Sequence, residues 1–190
     1  VDSLRNNGIN LLIGAVSVAA LGQFQLAWNI LQVPVALIAG SVSQVFLKKL
    51  SDLAPGEMVP LVRYVLWRAL LAATVPFAIL YILAPWLFPL VFGPTWVDAG
   101  YCARALTPWL LMTVLTSPIS NIFVVTETQS RLLAFAIVYC AAPLAWLWLS
   151  PLPFMTTLTI LGALMALLLA GMIVMALAVA RRFDAGPAPE

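Results

Sequence analysis

The residues best suited to chemistry in this sequence are amides and arginines that lie within long apolar stretches. An amide left unpaired in hydrocarbon is costly, so such a residue must meet water, a ligand or another helix. Arginine adds a planar set of donors that matches phosphate and pyrophosphate oxygens. The candidate residues for lining a cavity that binds an anionic, hydrated group are Asn7, Asn10, Gln25, Asn29, Gln32, Arg68 and Arg104.

The amides recur at helical spacing along two neighbouring segments. At a repeat of about 3.6 residues per turn, one face of the first segment carries Ser3, Asn7, Asn10, Gly14 and Ser17. One face of the second segment carries Gln25, Asn29, Gln32, Ala36 and Ser43. Such stripes either pack against other helices or line a hydrated cavity, and both interpretations stay open for these two segments.

A third polar cluster lies in the second half of the fourth apolar segment. Its members are Thr113, Thr116, Ser117, Ser120 and Asn121. Small hydroxyl side chains let helix backbones approach and hydrogen-bond, so we favour helix packing over a hydrated cavity here. For Arg68 and Arg104, snorkelling of the charge to the membrane surface is the alternative to a contact with an anionic headgroup.

The elements that must position these side chains are transmembrane helices. Of the 190 residues, 64% are hydrophobic and 8% are charged, whereas a soluble domain carries roughly 25% charged residues. The apolar segments lack the two-residue alternation of barrel strands. The predicted fold is an all-α, polytopic integral membrane protein with a six-transmembrane-helix bundle at 1–182 and a disordered cytoplasmic tail at 183–190. The predicted spans are about 3–21, 22–47, 65–91, 99–125, 132–149 and 154–180.

The basic residues predict the orientation of this bundle. Six spans put both ends on one side, and eight of the nine Lys and Arg residues then fall on that side. Because positive residues concentrate on cytoplasmic loops, we expect both termini to be cytoplasmic. We also place Trp67, Trp86, Trp96 and Trp109 near interfaces, as parts of aromatic belts. The eight residues are Arg5, Lys48, Lys49, Arg63, Arg68, Arg131, Arg181 and Arg182, and Arg104 is the ninth.

Several function classes lack their usual residues. The sequence has no histidine, the commonest general base and metal ligand. It has no GxxxxGK[ST], HExxH or GxSxG motif, and Cys102 and Cys140 are too far apart for a metal or redox motif. Apart from Asp2, at the start of the first segment, every carboxylate falls in a loop or tail, so we expect none within a span. We therefore expect no enzyme activity, no cofactor, no metal and no nucleic-acid partner.

Two stretches carry a family resemblance. Residues 22–50 contain GQF, then WNI, then Pro34, and then SQVFLKKL. Residues 92–100 read FGPTWVDAG and are followed by LTPW and SPIS. In this order and spacing, over about residues 1–150, they resemble the C-terminal half of bacterial polysaccharide flippases, which export lipid-linked O-antigen or capsule units. That family lies within the multidrug/oligosaccharidyl-lipid/polysaccharide exporter superfamily.

The resemblance implies alternating-access transport of an undecaprenyl-pyrophosphate-linked oligosaccharide across the bacterial inner membrane. Family members have about twelve spans in two related halves, so the chain is similar to the second half. The implied partners are the bilayer, the lipid-linked substrate and a missing N-terminal six-helix half. Two alternatives stay open. One is a multidrug or metabolite exporter, against which the lack of an intramembrane carboxylate argues. The other is a membrane scaffold without transport.

Overall fold

The computed structural model describes residues 2–51, 56–126 and 128–185. Over these ranges the chain forms helices and no strand, which confirms the predicted all-α class. The α-helices are α1 (Asp2–Val16), α2 (Val18–Ser51), α3 (Met58–Phe92), α4 (Val97–Ile119), α5 (Ile122–Val125), α6 (Gln129–Leu149) and α7 (Phe154–Asp184), with a 3₁₀ turn at Pro94–Trp96.

Four of these helices are long and apolar enough to cross a bilayer, namely the Val18–Gln44 part of α2, α3, α6 and α7. α1 has only 15 residues. α4 carries Asp98, Arg104 and several hydroxyls, but it packs against α2, α3 and α7 and most of its side chains are buried. A helix enclosed by other helices has little lipid-facing surface, so it needs fewer apolar residues. The chain is thus a multi-pass membrane protein.

The boundary between the first two helices differs from the prediction. The predicted spans 3–21 and 22–47 divide at Gly22, whereas α1 ends at Val16 and α2 begins at Val18. The hydroxyl of Ser17 accepts a hydrogen bond from the N–H of Ala20 (3.2 Å). Ser17 therefore caps the start of α2 by satisfying an N–H that has no partner within the helix.

The predicted loop between the second and third spans is shorter than expected. α2 continues to Ser51, and α3 begins at Met58 rather than near residue 65. Asp184, at the end of α7, holds this start. Its carboxylate accepts hydrogen bonds from the N–H groups of Met58 (3.0 Å) and Val59 (2.9 Å). A carboxylate at a helix N-terminus satisfies unpaired amides and complements the helix dipole.

The last helix also continues beyond its predicted end. The predicted sixth span ends at Ala180 and the predicted tail covers 183–190, but α7 continues to Asp184. The hydrogen bonds of the Asp184 side chain connect this end of α7 to the start of α3. Residues 186–190 of the predicted tail lie outside the described residues.

The predicted span 99–125 is divided into α4 and α5. Pro118 has no N–H to continue the helical ladder. Beside it, the side chains of Ser120 and Asn121 donate hydrogen bonds to backbone carbonyls of the preceding turn (2.7 and 3.2 Å). Such side chains offer the backbone an alternative to helical bonds, which explains a break at this point.

Two glycines allow the backbones of α3 and α7 to lie close to the backbone of α4. A Cβ on Gly162 of α7 would meet the carbonyl oxygen of Ala105 in α4. A Cβ on Gly100 of α4 would lie 2.5 Å from the carbonyl oxygen of Ala84 in α3. Close backbone approach is the usual source of van der Waals contact between membrane helices. α4 is thereby fixed between α3 and α7.

A polar clamp joins α2 to the turn between α3 and α4. The side-chain amide of Gln23 donates to the carbonyl of Thr95 (2.7 Å) and accepts from the N–H of Ala99 (2.9 Å). Gly93 opens this turn with a φ of +98°, which a side chain would disfavour. We call this end of the bundle the Gln23 end, and the opposite end, where α7 meets α3, the Asp184 end.

Candidate functional site: a polar cavity around Arg5

A cavity of about 380 Å³ lies between α1, α2, α4, α6 and α7. Its lining combines polar side chains with aromatic rings, unlike the apolar surface that faces lipid. The polar residues are Asp2, Arg5, Asn6, Gln32, Thr113, Thr116, Ser117 and Ser120, and the rings are Trp28, Trp109 and Tyr139.

Arg5 is the most heavily contacted charge in this cavity, and only 7% of it is exposed. Its Nη1 donates to the carboxylate of Asp2 (2.7 Å), and its Nη2 donates to the side-chain oxygen of Asn6 (3.2 Å). The guanidinium carbon lies 4.5 Å from the ring centroid of Tyr139 and 5.6 Å from that of Trp109. Within the described part of the chain, Nε has no hydrogen-bond partner. A buried donor without a partner is costly, so this side chain is suited to a further acceptor.

The rings that hold Arg5 are themselves fixed. The indole N–H of Trp109 donates to the hydroxyl of Tyr139 (2.6 Å). Trp28 packs on Trp109 with ring centroids 5.0 Å apart, and Phe135 stacks on Tyr139 at 5.6 Å. A cation over an aromatic face gains about 0.5–2 kcal/mol. Side chains from α2, α4 and α6 therefore hold the guanidinium of α1 in one orientation.

The cavity lies deep in the bundle. Trp109 and Tyr139 are near the middle of α4 and α6, which have 23 and 21 residues. At about 1.5 Å per residue they lie roughly 15–18 Å from the Gln23 end, about half of a 30 Å hydrocarbon core. The prediction that Arg5 lies at an end with the other basic residues is therefore wrong. The prediction of an interfacial Trp109 is also wrong, because this ring is buried beside Arg5.

Asp2, which was placed at the start of the first segment, also belongs to this cavity. It pairs with Arg5 one helical turn away and lines the same cavity. Its side chain is 81% exposed, so it is not part of the packed core. A carboxylate next to the cavity weakens the argument against a multidrug or metabolite exporter that rested on a missing carboxylate.

The predicted amides lie in two places. Gln32 lines the cavity, and Asn10 lies close by with Asn6, Trp28 and Trp109. Asn7, Gln25 and Asn29 are exposed on α1 and α2. Exposed amides at membrane depth need water or another protein, so this amide face, defined by Asn7, Gln25 and Asn29, is unsuited to lipid. That these amides bind a substrate stays a prediction.

The two predicted arginines lie away from the cavity. Arg104 is half-buried between α3, α4 and α7, where its Nε donates to the backbone carbonyl of Tyr81 (2.9 Å). Arg68 is exposed in a cleft between α2 and α3, with its guanidinium carbon 5.4 Å from the ring centroid of Tyr64. The structure thus distributes the seven predicted residues among the cavity, a small pocket beside it, the amide face and two separate clefts.

The hydroxyls of α4, for which we favoured packing, line the cavity. Thr113, Thr116 and Ser120 each donate a hydrogen bond to a carbonyl of their own helix (3.0, 2.9 and 2.7 Å). Their single donors are used in this way, while each oxygen keeps acceptor capacity. The α4 wall is therefore stable without a ligand, and it suits a ligand rich in hydroxyl donors.

The family model described as polysaccharide biosynthesis protein matches residues 1–100, which include α1, α2 and α3. The chain belongs to the polysaccharide biosynthesis protein family. The match fits the resemblance of the sequence to polysaccharide flippases. Comparisons with curated proteins and with solved structures gave no match.

Sequence reasoning missed the central cluster of this polysaccharide biosynthesis family member. One signal for Arg5 was present, because it shares the buried face of α1 with Ile9 and Ile13 at four-residue spacing. A charge on the apolar face of a membrane helix is rarely left without a partner. No signal within one helix joins Arg5 to Trp109 and Tyr139, which come from distant parts of the chain.

Proposed function

We propose that this chain forms part of a flippase that moves lipid-linked oligosaccharide across the bacterial inner membrane by alternating access. It works without an enzymatic step or a cofactor, and both ends of the chain are oriented toward the cytoplasmic side. The observation that carries the proposal is Arg5, a buried guanidinium at mid-depth on the wall of a polar cavity. Family membership supports the proposed substrate class, since a polysaccharide biosynthesis protein with a charged cavity in the bilayer is suited to carrying an anionic glycolipid.

The residues of the cavity match a pyrophosphate-sugar headgroup. Arginine donors suit phosphate oxygens, and the amide of Gln32 can donate and accept. Asp2 already occupies Nη1 of Arg5, but its side chain is exposed, so a phosphate oxygen can displace it. A phosphate oxygen replaces Asp2 as the partner of Arg5 and adds a contact to Nε. The hydroxyl oxygens of α4 accept hydrogen bonds from the sugar.

The amide face supports a second bundle. Asn7, Gln25 and Asn29 are exposed at depths where lipid cannot pair them. The proposed partner is an N-terminal six-helix half that meets α1 and α2 across a hydrated cleft. In this arrangement α1, α2, α3, α4, α6 and α7 form one six-helix bundle of the transporter. The headgroup lies in the cleft while the hydrocarbon tail stays in the bilayer.

The experiment that tests the proposal is deletion of the gene in the producing bacterium. We expect lipid-linked oligosaccharide to accumulate at the cytoplasmic face, where a glycan-modifying enzyme reaches it only after the membrane is permeabilised. Surface polysaccharide should fall at the same time. Normal polysaccharide with raised sensitivity to toxic compounds would instead support a multidrug exporter. Precursor accumulated at the outer face would place the defect after translocation and contradict the proposal.

A further inference from the structure

A second cleft lies between α2 and α3 toward the Asp184 end. It has a volume of about 510 Å³, and its lining includes Ser41, Val42, Tyr64, Arg68, Leu71 and Ala72. It shares no lining residue with the cavity around Arg5. Counted along α3 from Met58 at about 1.5 Å per residue, the cleft runs from roughly 9 Å at Tyr64 to roughly 20 Å at Ala72. It therefore extends from headgroup depth toward the middle of the bilayer.

Two positive charges meet at the shallow end of this cleft. The Nζ of Lys49 lies 3.9 Å from the ring centroid of Tyr64, and the guanidinium carbon of Arg68 lies 5.4 Å from it. The two charges are thus less than about 10 Å apart. Like charges at this separation repel, so an anion between them is favourable.

The deep part of the cleft has the opposite character. Val42, Leu71 and Ala72 line it. A free anion would gain nothing from these apolar side chains. A lipid with an anionic headgroup would instead place its phosphate near Lys49 and Arg68 and its acyl chain beside the apolar side chains. The arrangement of charge above an apolar groove matches the arrangement of a phospholipid in a leaflet.

We propose that this cleft binds an anionic phospholipid of the leaflet at the Asp184 end. Lys49 and Arg68 contact the phosphate, the ring of Tyr64 orders both cations, and the groove beside Leu71 and Ala72 holds one acyl chain. This lipid is a resident of the bilayer and is not the transported molecule. The site is separate from the cavity of the proposed flippase, so it does not depend on that function.

The test uses the full chain in nanodiscs that contain phosphatidylglycerol with a photoactivatable acyl chain. After illumination, mass spectrometry maps the cross-linked peptides. The comparison lipid is phosphatidylcholine with the same photoactivatable chain. We expect phosphatidylglycerol to label the peptides that contain Val42, Leu71 and Ala72 about tenfold more than phosphatidylcholine, because two cations near the surface favour the anionic headgroup.

The variants separate headgroup recognition from simple occupancy of a groove. The double substitution Lys49→Gln with Arg68→Gln should reduce phosphatidylglycerol labelling to the phosphatidylcholine value. Arg63→Gln is the matched control, because Arg63 is exposed on α3 roughly 140° around the helix from Arg68. It should leave labelling unchanged. Equal labelling by both lipids, labelling that survives the double substitution, or no labelling of the cleft would each overturn the proposal.

Discussion

The Nε of Arg104 donates a hydrogen bond to the backbone carbonyl of Tyr81 (2.9 Å), and the reason lies four residues further along α3. Residue 85 is a proline, so it has no N–H to bond the Tyr81 carbonyl in the helical ladder. An unpaired carbonyl in hydrocarbon is costly, and α4 supplies an arginine donor instead. The guanidinium carbon also lies 5.2 Å from the Tyr81 ring centroid. Arg104 thus has a structural role in addition to the headgroup contact predicted from the sequence.

This relationship predicts a specific compensation. Arg104→Ala should lower the free energy of unfolding by about 1–3 kcal/mol, because it leaves the carbonyl of Tyr81 unpaired. Pro85→Ala restores an N–H four residues after Tyr81, which can bond the Tyr81 carbonyl. In that background Arg104→Ala should lower the free energy of unfolding by much less. Unfolding in detergent micelles, measured for the four members of the cycle, gives the coupling free energy. Additive losses would show that the proline is not the reason for this contact.

The compensated background also isolates the predicted role in transport. If Arg104 contacts an anionic headgroup, Arg104→Ala should still reduce export when Pro85→Ala has restored stability. Arg104→Lys should reduce it less, since lysine keeps the charge but loses the planar fork. Normal export in the double variant would assign Arg104 to structure alone. The measurement is surface polysaccharide at matched amounts of membrane protein.

The contact between α4 and α7 predicts that alanine substitutions at two glycines of α7 have very different effects on stability. Gly162→Ala places a Cβ against the Ala105 carbonyl and should destabilise the fold by about 1–3 kcal/mol, since packed backbones must separate. Gly171→Ala is the matched control, because a Cβ there meets nothing within 4 Å. It should be neutral or stabilise the helix by up to about 1 kcal/mol. Similar melting temperatures for the two variants would contradict the close approach of these helices.

Hydrophobicity in the sequence was enough to predict an all-helical membrane protein. It was not enough to predict where each helix ends. α3 begins at Met58 because Asp184, far away in the chain, satisfies its first amides, and α2 begins after Ser17 because that hydroxyl caps it. Windowed hydrophobicity detects the middle of a span, whereas caps and distant side chains decide its ends.

The candidate site could be predicted only in part, because periodicity within one helix indicates which face a residue lies on and nothing more. Periodicity within α2 placed Gln32 on a polar face, and the structure places it in the cavity. Periodicity cannot say how deep a residue lies or which helix it meets, so Arg5 was assigned to an end of the bundle. The α4 hydroxyls were assigned to packing because small hydroxyl side chains also let helix backbones approach each other. Only the assembled bundle brings Arg5, Trp109 and Tyr139 together.

The capping of α3 by Asp184 predicts a local effect as well as a global one. Asp184→Ala should cost about 1 kcal/mol and speed hydrogen exchange of the amides of Met58 and Val59, which would lose their acceptor. Arg182→Ala changes an exposed neighbour in the same helix and should leave both amides protected. The measurement is hydrogen exchange read by mass spectrometry. Unchanged exchange in Asp184→Ala would mean that the carboxylate does not hold the start of α3.

Because Asp2 pairs with Arg5 in the cavity, one substitution of Asp2 should lower stability and at the same time strengthen anion binding. Asp2→Asn removes the partner of a buried guanidinium, so the free energy of unfolding should fall. The same change frees Nη1 of Arg5, so a soluble pyrophosphate ester should bind the variant more tightly than the unsubstituted chain. The ester should therefore raise the melting temperature of the variant by more than it raises that of the unsubstituted chain. Weaker protection in Asp2→Asn would show that Asp2 itself contacts the ligand or that the anion binds elsewhere.

Export of lipid-linked oligosaccharide after substitution of Arg5 in the chromosomal gene tests the central claim most directly. Arg5→Gln removes the positive charge, so no buried cation is left to destabilise the protein and the amount of membrane protein should stay unchanged. Export should fall about tenfold or more. Arg5→Lys should be intermediate, and Arg63→Gln, which changes an exposed arginine outside the cavity, should export normally. Normal export by Arg5→Gln would contradict the proposed function, because transport would then not require the buried guanidinium of the cavity.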